Sequence, residues 1–165
     1  MKLIYEKLHP DAIAPRKAHD IDMGFDLYLP EDVVILPGER KTVPLGIAVK
    51  FPECGALPIS YRIGGFIKEK SGLASRYGLS ILGGVIDPGY TGELKVVAVN
   101  TNSGAKGYSS VFGSLSVVDT SIHLVKGQKL AQLVLIPFLA SSDVEEGVVS
   151  RETERGAGGF GSTGQ

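Results

Sequence analysis

One cysteine and no tryptophan in 165 residues remove two common devices of small proteins. Cys54 alone permits neither an intrachain disulfide nor a cysteine-rich metal site. Within Pro52-Glu53-Cys54-Gly55 it reads as a small residue in a turn. An excess of charge is also missing. Lys and Arg total 17 against 18 Asp and Glu, a net charge of −1, so the molecule is no nucleic-acid-style polycation. Any anion site must be local rather than a property of the whole field. No apolar run approaches membrane-spanning length. The opening "MKLIYEKLHPD" interrupts its apolar residues with charge and does not read as a signal peptide. The expected compartment is the cytoplasm, or a host's cytoplasm if the chain is viral or phage-borne, with neither membrane nor nucleic acid as partner.

Several motifs are absent too. No long segment carries a 3.6-residue apolar period, which argues against Rossmann and flavodoxin-like folds. There is no Gly-x-x-x-x-Gly-Lys-Ser/Thr phosphate loop and no Gly-x-Ser-x-Gly elbow. The three histidines, His9, His19 and His123, are far apart and lack ligand spacing, so they read as structural or solvated.

Short apolar stretches separated by glycine and proline are abundant. With 22 glycines and 9 prolines, this is the punctuation of an all-β chain long enough to bury one core. "FDLYLP", "VVILPG", "KTVPLGIAVKF", "ALPISYRI", "GGFIKEK", "LSILGGVID", "ELKVVAVN", "SSVFGSLSVVD", "SIHLVKG" and "KLAQLVLIPF" each read as a strand or part of one. Pro37-Gly38 and Lys126-Gly127 suit tight strand–turn–strand joints. "SGLASRYG" (71–78) alone reads as helix, with Ser71 as its cap and Gly78 as its end. The expected architecture is a distorted jelly-roll-like β-barrel. "TNSGAKGYSS" (101–110) reads as an exposed loop. After Ser141 the chain turns acidic and leaves the core, ending in "RGAGGFGSTG" (155–164), whose one large apolar side chain is Phe160. That composition marks either a frayed tail or an arm that orders on a ligand.

Five stretches carry possible chemistry. In "GGVIDPGYTGE" (83–93), Asp87 follows an apolar strand end and Pro88-Gly89 forces a turn before Tyr90. The reading is a hairpin held open at its tip, with backbone groups left to meet a flat polar ligand; an ordinary Asp-Pro-Gly turn is the alternative. "EKSGLASRYG" (69–78) groups a cation, a hydroxyl and the first N–H groups of a helix, as a phosphate cradle does or as a plain N-cap does. In "KGQKLAQLVL" (126–135), Gln132 is an amide among apolar residues, facing solvent or a ligand oxygen. Asp26 in "FDLYLP" reads in isolation as a surface carboxylate on a half-exposed strand. The glycine-rich tail is the fifth.

Together these stretches resemble, in order and spacing over residues 1–165, the five motifs of the trimeric deoxyuridine triphosphatases (dUTPases). "MGFDLY", "KSGLASRYGLSI", "GGVIDPGYTGEL", "GQKLAQLVL" and "RGAGGFGSTG" stand for motifs one to five. The resemblance implies a dUTPase-like β-clip barrel over 1–150 and a mobile C-terminal arm over 151–165 that completes the site. It implies hydrolysis of dUTP to dUMP and pyrophosphate, which limits uracil in DNA and supplies dUMP for dTMP synthesis. Asp87 matches the catalytic Asp, which orients a water for in-line attack on the α-phosphorus and bonds the deoxyribose 3′-OH. Tyr90 matches the tyrosine under the sugar, which leaves no room for a 2′-OH. The backbone from Gly83 through Val85 and Lys95 to Val97 is expected to read uracil. Lys70, Ser71, Gly72 and Gln132 match phosphate contacts. Arg155, Ser162 and Thr163 match γ-phosphate contacts, Phe160 the residue that stacks on uracil, and Gly161 lies between them. Asp26 is expected to hold the hydration shell of Mg²⁺ or to serve the scaffold. The Mg²⁺ is chelated mainly by substrate oxygens and water. The implied partners are dUTP and two further copies of the chain, in a homotrimer with shared sites.

Departures from the family pattern are local. Glu69-Lys70 replaces the usual Pro-Arg, which keeps the charge but loses the planar fork. Residues 55–65 are longer than usual, and 101–122 reads as an insert, expected to form an extra hairpin. In some phage relatives an insert in this place meets regulatory partners, so a protein partner there is a further expectation. Two rival readings remain. The homologous dCTP deaminase shares an Ile-Asp-Pro-Gly-aromatic string but needs a glutamate ten residues after the Asp, where this chain has Val97. A non-enzymatic binding module on the same barrel would lack Asp87 or the tail, and both are present.

Overall fold

The computed structural model describes residues 2–53, 61–103, 119–140, 144–149 and 152. They form eleven strands and one helix: β1 (Ile4–Lys7), β2 (Gly24–Tyr28), β3 (Val33–Ile35), β4 (Arg40–Pro44), β5 (Ile47–Lys50), β6 (Tyr61–Glu69), α1 (Ser71–Tyr77), β7 (Leu79–Leu82), β8 (Val85–Ile86), β9 (Lys95–Asn100), β10 (Ile122–Leu124) and β11 (Lys129–Leu139). Every strand pairing is antiparallel. The strands divide into four sheets: β1-β5, β3-β10, β2-β11-β6-β8 and β4-β9-β7. This is the all-β, distorted jelly-roll arrangement expected. β1 was not foreseen, because its four residues are all exposed and carry no inward apolar face. The described end of "ALPISYRI" and most of "GGFIKEK" are each part of one long strand, β6. Residues 104–118, which include all of "SSVFGSLSVVD" except its final Asp119 and most of 101–122, lie outside the described residues, as do Cys54 and 155–165.

The core draws on all four sheets. Leu27, Leu29, Ile35, Leu45, Ile47, Leu79, Leu94, Leu130 and Leu133 are among its fully buried side chains. Each such burial stabilises by about 2 kcal/mol. β9 shows how the pattern encodes this. Val96, Ala98 and Asn100 alternate inward while Lys95, Val97 and Val99 are more open.

Asn100 is therefore a polar residue at a core position, and it is fully buried. Its amide nitrogen donates to the carbonyls of Ile35 (3.0 Å) and Thr120 (2.9 Å). Its Oδ1 accepts from the backbone and side-chain nitrogens of Asn102, at 3.0 and 2.9 Å. Both ends of the 101–122 insert are thus fastened to one side chain.

Two turns redirect the chain by the same device. Glu39 N–H bonds the Leu36 carbonyl and Gln128 N–H bonds the Val125 carbonyl, each across a glycine of positive φ, Gly38 and Gly127. That geometry is a type II turn. The fourth side chain closes each turn, since Leu36 N–H donates to Glu39 Oε2 and Val125 N–H to Gln128 Oε1. The expected joints are present, but neither makes a hairpin. β3 pairs with β10 while β4 pairs with β9, and β10 and β11 likewise belong to different sheets. A type II turn does not match the twist of paired strands, so it carries the chain from one sheet to the next.

Replacing Asn100 with leucine removes the amide donor to the buried Ile35 carbonyl and to the part-buried Thr120 carbonyl. The expected loss is about 3 kcal/mol of stability, read as a lowered midpoint in urea unfolding.

Candidate functional site

The outward face of the β2-β11-β6-β8 sheet carries Asp26, Gln132 and Val85, and the candidates at 70–72, 83, 87 and 90 lie in segments that adjoin its strands. Gln132 on β11 lies opposite Asp26 on β2 and Lys68 on β6. Asp26 is 4% exposed, so it is not the surface carboxylate expected from an isolated strand. Its two oxygens are held separately. Lys70 Nζ lies 2.5 Å from Oδ1, and Lys129 Nζ lies 2.7 Å from Oδ2. Burial pushes the carboxyl up, but the ammonium hydrogen bonds and charges of Lys129 and Lys70 outweigh it and hold Asp26 below the usual carboxylate range. The same hydrogen bond and charge raise the Lys129 ammonium.

Helix α1 begins one residue earlier than a Ser71 cap requires. Lys70, with extended backbone, occupies the N-cap position and its carbonyl accepts from Leu73 and Ala74 N–H groups. Lys70 makes no side-chain cap, because an ammonium has no acceptor for the helix N–H groups, and it donates to Asp26 instead. Ser71 and Gly72 are exposed at the first turn, and no atom lies within 4 Å of a Cβ built on Gly72. Gly78 ends the helix in the left-handed conformation, as expected. The carbonyls of Tyr77 and Gly78 are taken by Asn102 and Thr101, which joins the helix to the root of the insert. Gln132 donates to the Glu69 carbonyl at 3.0 Å and lies over Gly24, where a Cβ would meet its Oε1 at 2.6 Å. The glycine of "MGFDLY" is thus the space in which Gln132 rests. Glu69 is in register with Ala131, not Gln132, so its side chain leaves the opposite face of β6.

The segment from Gly83 to Tyr90 lies at the far edge of this sheet. Gly83 has a φ of 60°, and a Cβ on Gly84 would fall on the Ile67 carbonyl oxygen, so both glycines are required. Gly84 and Ile67 instead share a backbone hydrogen bond of 2.7 Å. Val85 and Ile86 then pair with Phe66 and Gly65. β8 is an edge strand, so its other side has no ladder partner among the described residues. Asp87 follows, exposed, at the start of a turn closed by Tyr90 N–H on its carbonyl (3.0 Å). The Tyr90 hydroxyl donates to the Glu93 carbonyl, and Glu93 Oε1 accepts from Gly46 N–H, both at 2.9 Å. This ties the tyrosine to the barrel. A Cβ on Gly92 would meet the Tyr90 hydroxyl at 2.7 Å. Lys95 opens β9, exposed, near Glu93. The expected hairpin is not formed, because β8 and β9 belong to different sheets and do not pair. A cavity of about 160 Å³ lies beside Asp87, bordered by Phe66, Val85, Pro88, Ile136 and Phe138.

Asp87 and Gln132 are not brought together within one chain. They lie on opposite sides of β6 and four residues apart along it, a separation of about 16 Å at standard strand rise and spacing. Arg155, Phe160, Gly161, Ser162 and Thr163 lie outside the described residues. Lys129, Gly24, Gly92 and Glu93 support the site without having been singled out from sequence. Among the described residues, no three His, Cys, Asp or Glu side chains gather as metal ligands. His9, His19 and His123 each approach a different carboxylate. No described helix is long and apolar enough to cross a membrane.

The fold is all-β, with two lysines paired on a buried carboxylate at one end of a sheet and an exposed aspartate turn at the other. The chain matches the dUTPase family model over residues 11–105. It is 42% identical over 160 residues to the deoxyuridine 5′-triphosphate nucleotidohydrolase of Thermobifida fusca, covering 96% of this chain and 76% of that one. A variant of the Staphylococcus bacteriophage 80alpha dUTPase, solved with dUpNHpp, superposes with a TM-score of 0.79 at 27% identity, over 99% of each chain. A variant of the dUTPase from phage phi11 of S. aureus, whose structure concerns a structural Mg(II) ion, gives 0.70 at 29% identity, over 93% of this chain and 100% of that one. The chain belongs to the dUTPase family.

The Asp26 carboxyl titrates lower in the folded chain than in the unfolded one. Its pairing therefore stabilises the fold above the unfolded value of about 3.9 and ceases to do so as pH falls through the folded value. Asp26→Asn is expected to lower Tm at neutral pH. The gap to the wild type should close as pH falls toward about 2, read by thermal unfolding across that range.

Proposed function

We propose that the chain hydrolyses dUTP to dUMP and pyrophosphate in the cytoplasm, as a homotrimer with shared active sites. The observation that carries this reading is the segment 83–90. It places an open backbone edge, an exposed carboxylate and an anchored aromatic ring in unbroken succession. These are the parts needed to meet a base edge, a reacting phosphate and a sugar. The free edge of β8, from Gly83 through Val85, reads uracil through main-chain groups, with Lys95 at the same mouth. Tyr90 lies under the deoxyribose and excludes a 2′-OH by shape. Asp87 accepts the proton of a water that attacks the α-phosphorus in line. The new bond joins water oxygen to the α-phosphorus, and the bond to the bridging oxygen breaks, releasing pyrophosphate.

Lys70, Ser71, Gly72 and Gln132 bind the phosphates. Asp26 acts through the scaffold, since both of its oxygens are engaged by ammonium groups. Those oxygens are poor candidates to hold Mg²⁺, and the described residues offer no other carboxylate cluster. Mg²⁺ would be held mainly by substrate oxygens and water, in keeping with its octahedral preference. It supplies charge neutralisation on the phosphates.

The division of the site supports the trimer. The cradle and Asp87 are too far apart to serve one nucleotide within one copy. Phe66, Val85, Ile136 and Phe138 leave an apolar strip exposed beside Asp87, of the kind that subunit contacts cover. Residues 1–150 form the barrel, and 151–165 form an arm that closes over the nucleotide. There Arg155, Ser162 and Thr163 meet the γ-phosphate, Phe160 stacks on uracil, and Gly161 lets the backbone close. The insert at 101–122 is rooted by Asn100 and offers a surface for a protein partner. Val97, the position of the glutamate in the deaminase reading, is a half-buried valine of β9 and transfers no proton.

Pyrophosphate release from dUTP, dCTP, dTTP and UTP tests the substrate. Rates with dCTP or UTP near that with dUTP would overturn it. Asp87→Asn is expected to abolish turnover while leaving nucleotide binding largely intact, and full activity in that variant would sink the mechanism. Removal of residues 155–165 is expected to leave a folded trimer, by light scattering, with severely reduced turnover. An unfolded product would make the tail structural.

A further inference from the structure

Lys129 is not among the residues that the family resemblance assigns, yet the fold delivers it to the cradle. Gln132 lies opposite Asp26 and Ala131 opposite Leu27, but the next pair is Lys129 with Tyr28, leaving Leu130 as an extra residue on β11. Strict alternation would put Lys129 on the face of Ala131 and Leu133, both fully buried. The bulge shifts the phase by one. Leu130 and Ala131 both turn inward, and Lys129 emerges on the face of Asp26 and Gln132.

The consequence is an unequal cluster. One ammonium suffices to neutralise one carboxylate, and Asp26 has two. The carboxylate lies beneath, with 6% of its side chain exposed, while Lys70 and Lys129 are 30% and 46% exposed. Each ammonium has three donors, so the pair keeps N–H groups beyond those given to Asp26. Asp22 also acts on Lys129 as a nearby negative charge, though not as an ion-pair partner. Two ammonium groups in direct contact with one carboxylate, fixed in place from below, fit a polyanion.

We propose that Lys129 binds the polyphosphate of the nucleotide, paired with Lys70 at a separation that Asp26 sets. This rests on the dUTPase reading of the site and extends it by one residue. The lysine pair compensates for the missing arginine before Ser71, since two point charges on one carboxylate span what one planar fork would reach.

The test is calorimetric binding of dUpNHpp and of dUMP to the full chain. Lys129→Met is expected to weaken dUpNHpp binding by about tenfold or more and dUMP binding by less than about threefold. Lys129→Arg, which keeps the charge, is expected to restore dUpNHpp binding to within about threefold of the wild type. If Lys129→Met leaves Asp26 underpaired and fails to fold, the double variant Asp26→Asn/Lys129→Met removes the buried charge and is measured against Asp26→Asn alone. A folded Lys129→Met that binds dUpNHpp like the wild type overturns the proposal. Equal weakening of dUpNHpp and dUMP also overturns it, since that marks a scaffold role. Failure of the wild type to bind dUpNHpp would instead overturn the dUTPase reading.

Discussion

The buried carboxylate of Asp26 is the constraint on which the rest of the site depends. A charge at 4% exposure is tolerated only with close partners. Those partners come from two other places in the chain, the start of α1 and the start of β11. The three segments are thereby held in one arrangement at the polar end of the sheet. Ser71 and Gly72 are placed because Lys70 cannot move away from Asp26. Gln132 is placed because it pairs opposite Asp26 and rests on Gly24.

The other end of the sheet follows a different logic. There the determinants are steric, with no buried charge. Gly84 allows backbone to touch backbone, and Gly92 makes room for the Tyr90 hydroxyl. The result is an edge strand that runs directly into Asp87, with no ladder partner on one side among the described residues. Edge strands are usually liabilities that proteins cover or blunt. Here the edge strand is short, two residues long.

Much of this was legible in the sequence. Alternation in β9, the glycine–proline punctuation and the five ordered strings indicated an all-β chain of a particular family before any coordinate was known. Gly78 as a helix end was legible because a left-handed residue after a short apolar run has few alternatives to glycine. Ser71 as the cap was misread, since the propensity of serine for that position is local while the pull of Asp26 on Lys70 comes from 44 residues away. Asp26 looked like a surface residue because a strand's polar face is exposed unless something packs on it. Lys129 drew no notice, as a lysine at the start of an amphipathic strand has an ordinary explanation.

The sequence by itself determined the all-β class and the family, because these depend on composition, turn chemistry and ordered short motifs that act over a few residues. Tertiary structure alone decided which groups share a face. A single bulged residue at Leu130 changes the phase of the strand, and one residue of phase sends a lysine either into the core or over a buried carboxylate. It also decided that two type II turns send neighbouring strands to different sheets. And it decided that Asp87 and Gln132 stand on opposite sides of β6. Those outcomes depend on register, which is set by contacts between residues far apart in the chain.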